Sequence, residues 1–277
     1  PIQSSGDKLA QMRLKKLVQP FILRRTKSQV LQDLPPRTEI TLQVDLSREE
    51  TALYESMRRN AIEKISTSEG ESGRPMLVLA EIMRLRRLCC NPALVAPESG
   101  IASSKMQLLE RIVEELIENR HKALIFSQFV DHLTLVRQLF DRKGLSYQYL
   151  DGSTPVKARN KAISAFQEGN GDFFLISLKA GGLGLNLTAA DYVIHLDPWW
   201  NPAVEDQASD RAHRIGQTRP VTIYRLITTN TIEEKILQLH GRKRDLADGL
   251  LDGSDIAGRI STAELVALIS SSIISSG

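Results

Sequence analysis

The sequence has few of the residues that stabilise small secreted domains or fill all-β cores. Only two of its 277 residues are cysteine, and these two, Cys89 and Cys90, are adjacent. That spacing is too short for an unstrained disulfide and lacks the paired pattern of a zinc site. Aromatic residues make up 5% of a chain that is 42% hydrophobic, so aliphatic side chains supply most of the apolar mass. The composition excludes a disulfide scaffold and favours an α/β interior over an all-β sandwich.

Long uncharged apolar runs are also missing. No run reaches the roughly 18 residues that a membrane-spanning helix requires, and the N-terminus lacks the basic and then apolar pattern of a secretory signal. We therefore expect a soluble protein of a reducing compartment with no membrane partner, cytoplasmic and nucleoid-associated in a bacterium or nuclear in a eukaryote. The formal net charge of +3 is too small to indicate nucleic-acid binding by itself.

Helical patterns and short apolar runs alternate regularly from Ser104 onward. The pattern predicts strands at 122–127, 147–150, 173–177, 192–196 and 221–228, and helices at 104–119, 130–143, 157–167, 202–215 and 232–251. Short connections between such units require a mostly parallel sheet with right-handed crossovers. The fold class predicted is α/β, with helices on both faces of the sheet.

The first hundred residues predict a different organisation. Residues 38–44 alternate like a strand after a proline break, and Ser47 with Glu50 forms a capping-box pattern at the start of a helix that runs to about Ile65. A second helix is predicted at 76–88, and the two helices would form a small projection outside the main core. The predicted divisions are a linker at 1–46, the helical projection at 47–103, the α/β lobe at 104–251 and a flexible or shortly helical tail at 252–277.

A glycine-rich loop follows the predicted strand 173–177. Gly181, Gly182 and Gly184 would let backbone amides approach a phosphate or sugar, although a tight turn alone explains them as well. A dinucleotide-binding fingerprint is disfavoured, because it would need a third glycine at Leu187. Ligands of open α/β sheets bind at the carboxyl ends of the strands, which is where this loop lies.

The next strand leads into a helix with polar residues at helical spacing. Asn201 is a suitable N-cap, and Pro202 suits the first helical position. On a helix from 202 to 215, Gln207, Arg211 and Arg214 would share one face. Two such arginines can be an exposed surface pair, or they can stabilise charge on a transferring phosphoryl group.

Several segments resemble Swi/Snf-related ATPases, a branch of helicase superfamily two. The run Gln207–Gln217 (QASDRAHRIGQ) resembles their sixth helicase motif, and Ser177–Leu187 resembles the fifth. Lys122–Phe129 resembles the fourth motif, and Asp151–Thr154 with Arg159 resembles the stretch between the fourth and fifth motifs. Pro20–Lys27 and Leu85–Pro92 resemble the segment that joins the two ATPase lobes. Asn91 stands where the family has histidine. The end of the chain, through Ile269, is most similar to bacterial members.

The resemblance implies the C-terminal RecA-like lobe of such an ATPase and assigns roles to individual residues. Arg211 and Arg214 would reach the ATP phosphates across an interlobe cleft. Gln207 would orient this cluster. The nucleotide would lie near Gly181, Gly182, Gly184 and Asn186. Residues expected along a track for double-stranded DNA are Ser127, Gln128, Gly152, Ser153, Ser177, Lys179 and, close to them, Trp200.

Two signatures of ATP hydrolysis are absent. The sequence contains neither a Gly-Lys dipeptide, with which the phosphate-binding loop ends, nor the Asp-Glu pair of the family's magnesium site. ATP and Mg²⁺ are therefore expected to bind only in a complete two-lobe protein, with the N-terminal lobe as partner, and this fragment alone is expected to be inactive. Double-stranded DNA, and a protein partner of the DNA complex, are the other expected partners.

Other interpretations remain open. A nonenzymatic DNA-binding or scaffold module would keep this fold without the motor, and a strand-separating helicase lobe would share the sixth motif. Trp199 and Trp200 could stack on bases, although one of two adjacent tryptophans at a strand end usually packs in a core. His195 and His213 lack partners at metal-ligand spacing, so no metal site is predicted. Asp197 is predicted to be a turn or cap residue.

Overall fold

The computed structural model describes residues 34–68, 73–180, 185–239 and 262–270. Outside this part of the chain lie the predicted linker before residue 34, the predicted loop glycines Gly181, Gly182 and Gly184, and the part of the predicted closing helix beyond 239. The strands are β1 Arg37–Val44, β2 Ala123–Ser127, β3 Tyr147–Leu150, β4 Phe173–Ser177, β5 Tyr192–His195 and β6 Val221–Thr228. The helices are α1 Arg48–Thr67, α2 Arg74–Cys90, α3 Ser104–Glu118, α4 Val130–Lys143, α5 Val156–Gln167, α6 Pro202–Ser209, α7 at 232–239 and α8 Thr262–Ser270.

The six strands form one parallel sheet in the order β1-β6-β5-β2-β4-β3. Every residue of β2 and β4 is buried, because helices cover both faces. Alternate side chains of these strands enter two separate clusters, one with α3 and α4 and the other with α5 and α6. The predicted fold class, a RecA-like sheet sandwiched by helices, is confirmed.

Strand β1 lies at one edge of this sheet. Over its whole length, from Arg37 opposite Val221 to Val44 opposite Thr228, it pairs in parallel with β6. The sequence predicted the strand but assigned it to the linker 1–46, because alternation reveals a strand and not its partner. The last part of the predicted linker is therefore structurally part of the sheet.

Helices α1, α2 and α8 pack together with α7 outside the sheet. Their shared cluster includes Tyr54 of α1, Ile82 of α2, Ile236 of α7 and Leu265 of α8. The capping box at the start of α1 is confirmed, since the Ser47 side chain accepts from the backbone N–H of N3 and the N3 glutamate accepts in return. The described part of the predicted tail is a short helix that completes this cluster, and no described helix is long and apolar enough to cross a membrane.

Helix α6 is shorter than predicted. It begins at Pro202 with Asn201 as its N-cap, as expected, but it ends at Ser209 instead of 215. A series of tight turns follows, in which Ala212 N donates to Ser209 O and Gln217 N donates to Arg214 O. The prediction that Gln207, Arg211 and Arg214 share one helical face is therefore wrong.

Candidate functional site

The loops that carry the predicted site residues meet at the carboxyl edge of the sheet. Ser127 at the end of β2 lies opposite Ser177 at the end of β4, and Leu150 of β3 lies opposite Ile176. On the other side of β2, His195 of β5 lies opposite Phe126. Because all these strands are parallel, the segments that follow them converge at one edge.

The two serines of the predicted DNA track have buried side chains that stabilise these loops. The Ser127 hydroxyl donates to the Asp197 carboxylate and accepts from Phe129 N at 3.0 Å. The Ser177 hydroxyl accepts from Ala180 N at 3.3 Å. Both hydroxyls therefore determine how the chain turns at the sheet edge, and neither faces solvent.

The loop after β3 presents two other residues of the predicted track. Gly152 and Ser153 are exposed, and the loop is ordered by the Asp151 carboxylate, which accepts from Ser153 N at 2.9 Å and from Thr154 Oγ1 at 3.1 Å. Partial burial raises the pKa of Asp151, but these bonds and one from Tyr149 outweigh it and lower the pKa to about 2. The turn is thus held by a permanently charged carboxylate. Lys179, after β4, is exposed at the same edge.

Trp200 and Gln128 are half-buried and contact Arg86 of α2. The Arg86 guanidinium lies 5.2 Å from the Trp200 ring centroid, and its Nη1 donates to Gln128 Oε1 at 3.1 Å. Trp199 packs against the core cluster that contains α5 and α6. Arginine occupies one face of the Trp200 ring, and the ring also packs against the cluster of α1, α2, α7 and α8, which disfavours base stacking.

Arg211 is buried at this edge, with 4% of its surface exposed. Its guanidinium lies 5.7 Å from the Phe126 ring centroid, and its Nη1 has no hydrogen-bond partner among the residues that the structure describes. Burial lowers the pKa of Arg211 to about 10, so the side chain stays protonated at neutral pH. A buried charge without a counter-ion is unfavourable unless an anion binds to it.

The remaining candidates differ from Arg211 in their burial. Gln207, Arg214 and Asn186 are all exposed. Arg214 lies on the same turns as Arg211, so an incoming ligand can meet one buried and one exposed guanidinium there. The glycines of the predicted nucleotide loop are outside the described residues.

Gln217 and His213 hold the turns that carry the two arginines, although no role was predicted for either residue. The Gln217 Nε2 donates to Ala190 O at 2.8 Å and to Ala212 O at 3.0 Å, while its Oε1 accepts from Thr218 N at 2.9 Å. His213 Nε2 is hydrogen-bonded to Pro35 O at 2.8 Å. We define residues 210–217 as the arginine loop. Their place in the sixth-motif run was the only available signal.

Helix α6, which precedes the arginine loop, is tied to strands β1 and β6 by charge. Glu205 is buried and accepts from Trp199 N at 2.7 Å and from Arg225 Nε at 2.9 Å. On the edge strand, Arg37 pairs with Asp206 at 3.0 Å and with Asp210 at 3.3 Å. The orientation of α6 is therefore set by ion pairs to the sheet as well as by its apolar face.

A second constellation lies beneath the site. Cys90, His132 and Asp197 are all buried, and the atoms they offer as metal ligands lie within 4.8 Å of one another. Asp197 was predicted to be a turn or cap residue; its carboxylate instead joins two segments, since it accepts from Gln128 N at 3.3 Å and from Ser127 at the end of β2. Burial raises the pKa of Asp197 to about 6, although Arg86 and Ser127 act in the opposite direction. The three residues come from separate segments, so no motif with metal-ligand spacing in the sequence could predict this group.

Two family models match the chain, the helicase conserved C-terminal domain over residues 104–216 and the SNF2-related domain over residues 1–94. A Mycoplasma pneumoniae protein named "Uncharacterized ATP-dependent helicase" is 43% identical over 235 residues, which are 84% of this chain and 22% of that protein. The curated relatives are much longer, and the chain spans between 20% and 30% of their length.

Two solved Sulfolobus solfataricus structures are similar over most of the chain. The "SWI2/SNF2 ATPase C-terminal domain" has a TM-score of 0.68 at 32% identity, with 86% of this chain and 100% of that chain covered. The "SWI2/SNF2 ATPase core in complex with dsDNA" has a TM-score of 0.71 at 36% identity, with 99% of this chain and 58% of that chain covered.

Proposed function

This chain belongs to the SNF2-related family of helicase-type ATPases, and on that premise we propose that it is the C-terminal lobe of a two-lobe motor that translocates along double-stranded DNA. The observation that carries the proposal is Arg211, a buried guanidinium at the carboxyl edge of the sheet whose Nη1 has no hydrogen-bond partner within the described part of the chain. A phosphate presented by the partner lobe would supply the missing negative charge.

Arg211 is the first arginine finger of this proposal. Burial in a low-dielectric site makes its attraction to a transferring phosphoryl group stronger than it would be in water. Because Gln217 and His213 already fix the arginine loop, little reorganisation is needed when the phosphate arrives. Arg214, exposed on the same loop, is the second finger and would contact the phosphates when the lobes close.

We expect ATP to meet this edge with its phosphates, because the arginine loop carries positive charge there. Asp151, after β3, accepts hydrogen bonds from its own loop, and Asp197, after β5, accepts from Ser127 and Gln128 at the end of β2. Magnesium, which prefers oxygen ligands and would neutralise charge on the phosphates, is assigned to the partner lobe, because the Asp-Glu pair of the family's magnesium site is absent from this sequence. Gly181, Gly182, Gly184, Asn186 and Gln207 are proposed to lie near the nucleotide, as the motif resemblance implies.

The DNA track is proposed to run over the exposed residues of the same edge. Gly152, Ser153 and Lys179 offer backbone amides, a hydroxyl and a positive charge, which suit phosphate contacts that do not depend on sequence. Ser127 and Ser177 would contribute by holding the loops, with Gln128 and Trp200 at the margin. The Sulfolobus solfataricus core solved with dsDNA supports DNA as the partner.

The test uses the complete two-lobe protein from which this chain comes. Arg211→Ala should lower the DNA-stimulated kcat by roughly 10³-fold or more, the scale of an arginine finger, and Arg214→Ala should lower it strongly as well. Arg219→Ala is the matched control, because Arg219 is largely exposed and pairs with Asp191 at the opposite edge of the sheet. The 277-residue chain alone should hydrolyse no ATP.

The same preparations separate the alternatives. DNA binding without any ATP hydrolysis by the complete protein would identify a scaffold module and refute the motor. ATP-dependent separation of a forked duplex would identify a strand-separating helicase. ATP hydrolysis that Arg211→Ala leaves unchanged would refute the assigned role of the arginine loop.

A further inference from the structure

A buried group of three potential metal ligands lies where the helical projection meets the sheet. Cys90 is the last residue of α2, His132 lies in the first turn of α4, and Asp197 follows β5. Their exposed fractions are 0%, 0% and 1%, and their ligand atoms lie within 4.8 Å of one another. We propose that these three residues bind one thiophilic divalent cation of the zinc type, which joins the projection to the lobe.

The imidazole of His132 is the observation that points to a ligand. Among the described residues, neither Nδ1 nor Nε2 has a hydrogen-bond partner, and the ring is completely buried. Buried polar groups nearly always have partners, so a ring with both nitrogens unbonded needs an explanation. A neutral imidazole offers a nitrogen lone pair to a metal, and metal binding would give this ring the partner it lacks.

The set of donor atoms selects the class of cation. One sulfur, one imidazole nitrogen and one carboxylate oxygen suit zinc or cobalt, whereas magnesium and calcium prefer oxygen alone. Zinc bonds of about 2.0–2.3 Å require the ligand atoms to move about 1 Å closer together, which side-chain rotation can supply. The Ser127 hydroxyl that donates to Asp197 orients this carboxylate, as outer-shell partners of metal ligands do.

The surrounding charges also define the chemistry. A divalent cation bound by a thiolate, a carboxylate and a neutral imidazole carries no net charge. Arg86 Nη2 lies 3.9 Å from Asp197 Oδ2, and Lys105 is paired with Glu233 at 2.6 Å. The Arg86 guanidinium repels a cation and competes with it for the Asp197 carboxylate. It therefore favours a cation that is bound mainly through sulfur over one that is bound mainly through the carboxylate. Binding forms a sulfur–metal bond and releases the proton of the Cys90 thiol to solvent.

The adjacent cysteine provides a matched control. Cys89 is also buried, but it packs in the cluster shared by α1, α2, α7 and α8 and is not one of the three grouped ligands. A cysteine-to-serine change at 89 therefore removes the same atom at nearly the same depth without touching the site. Both variants lose one buried thiol, so a difference in metal binding between Cys90→Ser and Cys89→Ser would show that the position of the thiol matters.

The experiment is a cobalt and zinc titration of the untagged, reduced and chelator-treated 277-residue chain. We expect one equivalent of Co²⁺ with a thiolate-to-cobalt charge-transfer band, displacement by Zn²⁺ and a higher melting temperature with zinc. Cys90→Ser and His132→Asn should each weaken binding by at least about 100-fold, while Cys89→Ser should retain it. Melting curves in chelator will show whether each variant is folded before metal is added.

Three results would overturn the proposal. The first is no stoichiometric binding by the folded parent chain. The second is a cobalt band that survives in folded Cys90→Ser. The third is equal loss in Cys89→Ser, which would indicate a vicinal-dithiol site without the histidine. The readouts are spectroscopic and thermal, so they do not depend on whether the chain is half of a motor.

Discussion

The buried ion pair between Lys105 and Glu233 should be a major determinant of the stability of this lobe. Lys105 Nζ also donates to Leu196 O at 2.8 Å, and Glu233 accepts from Thr228 N at 2.9 Å. Lys105→Met removes the cation and leaves the carboxylate buried and charged. Breaking a buried pair in this way costs about 3–5 kcal/mol of unfolding free energy.

The double variant shows whether charge is the cause. Lys105→Met with Glu233→Gln keeps an acceptor for Thr228 but removes the unpaired charge, so it should be about 2 kcal/mol or more stabler than Lys105→Met. Burial by itself lowers the pKa of Lys105, but Glu233 raises it by more, so the pKa lies above its ordinary value. The contribution of Lys105 is therefore complete at any pH below about 10 and is lost only as the pH rises through the folded-state pKa.

The assay is urea unfolding of the 277-residue chain at pH 7.5, followed by the fluorescence of Trp199 and Trp200. We compare the unfolding free energies of the parent chain, the single variant and the double variant. The comparison requires that the dependence of this free energy on urea concentration, the m-value, is the same for all three. A loss of less than about 1 kcal/mol in Lys105→Met, or a double variant no stabler than the single one, would refute this reasoning.

Two further predictions concern the arginine loop and a buried histidine. Gln217→Ala removes hydrogen bonds to two strand-connecting segments, so it should destabilise the chain by about 2–4 kcal/mol in urea unfolding and lower the kcat of the complete protein; an unchanged kcat in the folded variant would contradict the positioning role. His195 is buried and hydrogen-bonded to Ser209, and burial lowers its pKa to about 4. The unfolded chain therefore takes up a proton that the folded chain refuses, and stability falls as the pH drops from about 6.5 towards 4, by about 2 kcal/mol at pH 5. His195→Gln should remove this part of the pH dependence in the same assay, and an unchanged pH slope would contradict it.

Local patterns predicted the elements of the lobe well because their causes are local. Helix α4 and strands β3, β4 and β6 begin and end where the sequence predicted, since amphipathic spacing, apolar runs and Gly144 after α4 all lie within the segments themselves. The capping pair Ser47 and Glu50 is another feature whose physics spans only three residues.

Long-range contacts account for what the sequence did not predict. Strand β1 joins β6, a partner 184 positions further along the chain from Arg37 to Val221. Helix α6 ends early because Gln217 binds carbonyls of Ala190 and Ala212 and so stabilises turns in place of another helical turn. The same limitation applies to Cys90, His132 and Asp197, whose proximity depends entirely on the packing of three distant segments.

The hydrogen bond from His213 to the Pro35 carbonyl has a mechanical consequence. Pro35 and Pro36 stiffen the backbone immediately before β1, and β1 is held to β6 along eight residue pairs. A pull along the strand axis loads this ladder in shear, so its hydrogen bonds must yield together instead of one after another. Force on the chain ahead of Pro35 would therefore be transmitted to the arginine loop before the edge strand detaches. The arginine loop is thus linked through His213 to the point where the chain joins the sheet.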